Sequence, residues 1–179
     1  TFVYEVVWTR VLAMVVGPSI YAFAAVLTSF ITSLAVGSFV GASLAERSRR
    51  PTVALAITLI ATAAASCVSL AIVGSPLLET APAASKHTAG LVGVALPHLA
   101  VAFGLTLPIA VGLGIAFPLS LELAGSRDAI PARFGVLYAI NTTASVAGAL
   151  VAGFIAIPTW GLRTSLVIAT TTLLIGATT

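Results

Sequence analysis

Long apolar stretches rich in Ala, Val, Leu and Ile repeat down this chain, broken by Gly/Pro pairs or by clusters of charge. A helix that crosses a bilayer needs about 20 consecutive apolar residues, and the stretches match that length. Residues 1–17 form the first predicted span. Gly17-Pro18-Ser19 is a tight break, with Ser19 placed to cap the next helix. Residues 19–45 form the second span. The charged connection Glu46-Arg47-Ser48-Arg49-Arg50 then leads to Pro51, which suits the first turn of a third span over 51–74.

Residues 75–90 read as a loop of Pro, Ala, Ser and Thr that holds Glu79, Lys86 and His87. The stretch 91–124 makes about 50 Å of helix, too long for one straight crossing. It carries Pro97, Pro108 and Pro118, with Gly104, Gly112 and Gly114, which argue for a kink or a break. The preferred reading is one span over 97–124, preceded by an interfacial turn. A loop over 125–133 precedes a fifth helix at 134–158. A turn at Pro158–Arg163 with an interfacial Trp160 precedes a sixth at 164–179. The expected fold class is therefore all-α, a polytopic bundle of about six transmembrane helices in a single domain over 1–179. The chain starts and stops inside apolar runs, which reads as a piece of a longer protein.

Composition supports the same solvent. Of the 179 residues 59% are hydrophobic and 7% are charged, whereas a soluble domain carries about 25% charged residues. Eight Lys and Arg outweigh five Asp and Glu. The basic residues gather in short loops without aromatic partners, which points to membrane orientation and away from nucleic acid. Arg47, Arg49, Arg50, Arg127 and Arg133 fall on one side of a six-span topology, and Lys86 and Arg163 on the other. The five-Arg side is expected to be cytoplasmic. Cys67 is the single cysteine and excludes an internal disulfide.

Glu5 and Arg10 are the only charges before Glu46, and both lie inside an apolar run. Ionisable groups at such depth are costly and are candidates for function. Five residues apart, they do not share one helical face. Either each pairs with a polar group on another helix, or Glu5 faces a cavity and holds a cation or a proton, with Arg10 beside it as a further candidate. Tyr138, Asn141, Thr142 and Ser145 give the fifth helix a polar band. It serves either interhelical hydrogen bonding or substrate contact, with Tyr138 and Asn141 as the leading binding candidates.

Ser29, Ser33, Gly37, Gly41 and Ala45 recur every four residues on the second helix, and Ala144, Gly148 and Ala152 on the fifth. Such small-residue stripes let helix backbones approach closely. Plain packing is the simpler reading, and a contact that moves during transport the sharper one. His98 has no second ligand at metal spacing, so no metal is expected. Glu122 reads as interfacial. Gly112-Leu113-Gly114 lacks the strand–helix unit of a dinucleotide loop. No catalytic motif is present, and neither an enzyme activity nor a cofactor is expected of this chain.

Several segments together resemble the membrane region of fused major-facilitator/spermidine-synthase-like proteins. They are Tyr4-Glu5-Val-Val-Trp8-Thr-Arg10, Ser19-Ile-Tyr21-Ala22-Phe23 and Gly37-x3-Gly41-x-x-Leu44-Ala45-Glu46-Arg47. Gly114-Ile-Ala-Phe117-Pro118-Leu119, Leu137-Tyr138-Ala139-Ile-Asn141-Thr142 and Gly153…Pro158-x-x-Gly161 continue the likeness along nearly the whole chain. The resemblance implies a major-facilitator-like half. It also implies that Glu46, Arg47, Arg49 and Arg50 form a charge network with neighbouring helix ends. The soluble synthase-like domain of that family is absent from this sequence, so no aminopropyl chemistry is implied here. The expectations are small-solute or amine transport in a bacterial inner membrane, or alternatively an accessory subunit that anchors a larger complex. The partners expected are the bilayer and other membrane helices.

Overall fold

The computed structural model describes residues 2–16, 20–73, 91–123 and 130–178, and these are helical apart from the short link at residues 48–50. In chain order they form α1 (Phe2–Val16), α2 (Ile20–Arg47), α3 (Pro51–Val73), α4 (Leu91–Leu123) and α5 (Ile130–Val151). A π-helical turn, Ala152–Ala156, then leads into α6 (Ile157–Thr178). Four stretches are long and apolar enough to cross a membrane: Phe23–Arg47, Pro51–Ile72, Ala100–Leu123 and Gly135–Thr178. Helices suit such a chain because every backbone N–H and C=O is satisfied within the segment, where lipid offers no partner. This architecture fits an integral membrane helical domain.

The connection from α2 to α3 is short and locally bonded. The Ser48 N–H donates to the Leu44 carbonyl at 2.8 Å and the Ala54 N–H to the Arg50 carbonyl at 3.2 Å. The Arg50 N–H donates to Ser48 Oγ at 3.3 Å. Pro51 opens α3, where its missing N–H costs nothing.

α4 is the central element. It packs against both α2 and α3, while α1 packs against α2, α5 and α6, and α3 also meets α6. The core joins Trp8 and Val7 of α1, Phe30 of α2, Ile109 and Leu105 of α4 and Leu166 of α6. Helix α4 runs unbroken from Leu91, so the turn expected before residue 97 is not there, and Pro97, Pro108 and Pro118 all lie within it. A proline inside a helix frees the carbonyl four residues earlier. For Pro118 that carbonyl belongs to Gly114, and the Ser38 hydroxyl of α2 donates to it at 3.5 Å. Near Pro108, the Ser69 hydroxyl of α3 donates to the Leu105 carbonyl at 3.0 Å. Neighbouring helices thus supply donors beside the prolines, as membrane helices allow.

Two more boundaries differ from the sequence reading. α5 starts at Ile130 instead of residue 134, with Pro131 in its first turn, so Arg133 belongs to the helix. Helical backbone also continues through Pro158, where a turn was expected. The π-helical turn just before Pro158 contains Phe154, whose carbonyl that proline cannot bond. The break falls instead at Gly161, with φ 77° and ψ 169°. Only glycine adopts that region readily. The expected break at 17–19 and the loops at 75–90 and 125–129 lie outside the described residues.

Candidate functional site: a polar-edged cavity beside α5

The small-residue stripe of α2 lies on α4. A Cβ at Gly41 would stand 2.8 Å from the Ile115 Cα and carbonyl oxygen. At Gly114 it would stand 2.5 Å from the Leu34 carbonyl oxygen and 3.0 Å from the Gly37 Cα, and at Gly37 it would run into the Val111 backbone. The seam is held further by the Ser29 and Thr106 hydroxyls, 2.7 Å apart and buried. Ser33 is buried on the same face, and its Oγ has no hydrogen-bond partner among the described residues.

The stripe of α5 is placed differently. Ala144 is exposed on the wall of a cavity, Gly148 faces the Val3 side chain of α1, and Ala152 falls in the π-helical turn. At Gly148 a Cβ would stand 2.8 Å from the end of the Val3 side chain, whereas at Gly37 and Gly41 it would meet α4 backbone.

That cavity, about 620 Å³, opens between α5 on one side and α2, α3 and α4 on the other, with Leu173 of α6. Its walls are mostly apolar: Leu34, Leu59, Leu113, Phe117 and Ile140 contribute hydrocarbon. Five side chains add polar atoms, namely Ser38, Ser120, Tyr138, Asn141 and Ser145. Asn141 follows Tyr138 by three residues and precedes Ser145 by four, so one face of α5 presents all three. The Ser120 hydroxyl is committed to the Ala116 carbonyl at 2.8 Å. A concave, largely apolar site with a few convergent polar groups is the usual form of a small-molecule pocket, and the volume falls within its range of roughly 300–1,000 Å³.

Tyr138 and Asn141 line this cavity, and Glu5 and Arg10 do not. Glu5 is half-buried on α1, where its carbonyl accepts the Thr9 hydroxyl at 2.7 Å, and Arg10 is exposed. The structure does not bring these two charges together with the α5 band. No charged side chain lines the cavity among the described residues. Glu46, Arg47, Arg49 and Arg50 are all exposed at the end of α2 and in the link that follows. Among the described residues none of the four has an ion-pair partner. Arg47 and Ser48 close one end of a shallow groove along Phe39, Val40 and Leu44. Glu122 and Cys67 are exposed, and the His98 side chain lies outside what is described.

Sequence reasoning did not find Ser38 and Ser120 as wall residues. It also missed a buried hydroxyl chain that ties three helices. Tyr4 of α1 and Thr170 of α6 lie 3.0 Å apart through their hydroxyls, and Thr170 donates to Ser66 of α3 at 3.3 Å. Single hydroxyls scattered in apolar runs carry no spacing signal, so only the packing reveals them. Comparison with family models, curated proteins and solved structures yielded no match.

Proposed function

We propose that this bundle carries a small, uncharged solute across the membrane, with the cavity beside α5 as its binding site. One observation carries the reading: helices α2 to α6 all contribute walls to a single cavity, with three of its five polar side chains on one face of α5. Hydrocarbon walls around a few polar groups bind and orient a solute without holding it tightly. The absence of an acidic wall residue among the described residues favours a neutral solute over the amine expected from Glu5.

Alternating access in membrane carriers is largely the rocking of one helix group against another around a fixed site. Here the α2–α4 seam is the rigid group, welded by glycine contacts. The moving element is α5, whose main packing partners are α1 and the π-helical turn, with the irregular backbone at Ala152–Ala156 as its hinge. In this reading α1 adds a further crossing and the Gly135–Thr178 stretch divides at Gly161 into two, giving six. The reading takes the chain as akin to the membrane region of fused major-facilitator/spermidine-synthase-like proteins, in a bacterial inner membrane, and it rests on the likeness of the sequence motifs.

The test is uptake by proteoliposomes of a panel of radiolabelled neutral solutes and amines, compared with protein-free vesicles. Protein-dependent uptake of a neutral solute that falls at least tenfold in Asn141→Leu is expected. Uptake no faster than in protein-free vesicles for every solute defeats the transport reading and leaves the accessory-subunit role.

A further inference from the structure

A second cavity, about 290 Å³, adjoins the first. The two share Leu113 and Leu173 as common walls. The smaller one lies among α1, α5, the π-helical turn and α6, and most of its wall is hydrocarbon, including Val3, Val151, Ala152, Ala156 and Ile168. Its hydroxyls are already engaged. Tyr4 is bonded to Thr170, Ser165 donates to the Gly161 carbonyl at 2.8 Å, and Thr172 donates to the Ile168 carbonyl at 2.8 Å. Trp160 stands at its edge, 55% exposed. The larger cavity, by contrast, offers the Asn141 carboxamide, whose side chain has no hydrogen-bond partner among the described residues.

We propose that the two cavities form one bipartite site for an uncharged amphipathic molecule. Its hydrogen-bonding head sits at Asn141 and Ser145, and its apolar tail lies past Leu113 and Leu173 in the smaller cavity. This inference rests on the reading of the larger cavity as a solute site, and it adds the chemical class of the ligand. A purely polar solute leaves the smaller cavity empty, because its hydroxyls are engaged and the Trp160 indole at its edge is a single donor, too few partners to hold an ordered water. A purely apolar one leaves the exposed Asn141 carboxamide, which has no hydrogen-bond partner among the described residues, against hydrocarbon instead of a polar group. A molecule with one end of each kind satisfies both.

The experiment uses the full-length protein in phosphatidylcholine nanodiscs and 11-bromoundecanamide as the probe. It has a neutral amide head and a bromine at the far end of its chain, and bromine quenches tryptophan fluorescence at short range. The expected result is saturable quenching whose saturable part disappears in Trp160→Phe. Asn141→Leu weakens half-saturation at least tenfold, and Ala152→Leu abolishes saturation by filling the smaller cavity. Thr172→Phe, at an exposed position on the same cavity, does so too if Ala152→Leu fails to fold. The headless 1-bromodecane gives only linear quenching from the lipid phase. Linear quenching by 11-bromoundecanamide overturns the inference, as does saturation unchanged in Asn141→Leu or in the cavity-filling variants. Saturable binding without any solute uptake keeps the bipartite site and defeats transport. Uptake of short polar solutes with linear quenching does the reverse.

Discussion

Thr170 sits at the centre of the hydroxyl chain that ties α1, α6 and α3, and the three members are not equivalent. Interhelical hydrogen bonds in membranes contribute about 0.6 kcal/mol on average. Tyr4→Phe leaves Thr170 its bond to Ser66, so a loss of about 0.6 kcal/mol is expected. Thr170→Val removes both bonds and leaves the buried Tyr4 hydroxyl only Ser66 as a neighbouring side-chain partner. About twice that loss is expected, or more. Thermal unfolding in detergent checks the order, and equal losses would count against the chain. At this scale the sequence was informative where a residue type is rare in its surroundings. Tyr138 and Asn141 stood out from an apolar helix and do line the cavity. Glu5 and Arg10 stood out more strongly and do not, because rarity marks cost and says nothing about direction around the helix.

Between elements, close approach depends on the absence of side chains. A methyl group at Gly41 already meets the α4 backbone at 2.8 Å, so Gly41→Leu must push the two helices apart. Overpacking costs typically 1–3 kcal/mol, and Gly41→Leu and Gly37→Leu belong at or above about 3 kcal/mol because backbone cannot rotate away. Leu34→Ala, at a half-buried position, removes only part of one side chain and is expected to cost less. A detergent melt with all three variants alike would argue that the seam is loose. Gly161→Ala tests a different constraint, because φ 77° and ψ 169° strain any other residue by about 1–3 kcal/mol. A lowered melting temperature for Gly161→Ala is the expected outcome. The four-residue spacing of small side chains identified a face on α2, but spacing does not say which helix covers it. The same spacing on α5 borders cavities and α1. Helix ends were misplaced where proline was read as a stop. In α4 the carbonyl released by Pro118 finds Ser38 on another helix, a remedy that no local pattern can reveal.

For the whole molecule, the repeat of long apolar runs made the all-helical architecture legible, since runs of about 20 apolar residues suit helices long enough to cross a bilayer. The order of packing was not legible. α4 lies against both α2 and α3, an arrangement set by side-chain fit. Orientation follows from charge. The link that carries Arg47, Arg49 and Arg50, and the residue 125–133 region with Arg127 and Arg133, are expected on the cytoplasmic side. In a Cys67→Ala background, Ser48→Cys and Ser126→Cys should both react with a membrane-impermeant maleimide from that side only. Reaction from opposite sides would defeat the six-crossing topology.

Among the described residues the wall of the cavity beside α5 is uncharged, and under the transport reading this has an electrical consequence. Moving one elementary charge through the membrane potential releases or costs about 2.3 kcal/mol per 100 mV. A site with no ionised wall residue, loaded with a neutral molecule, moves no charge as it turns from one side to the other. The cell's resting voltage then does no work on the step. Such a carrier equilibrates its cargo down a concentration gradient, and it runs at the same rate in a polarised vesicle as in a short-circuited one.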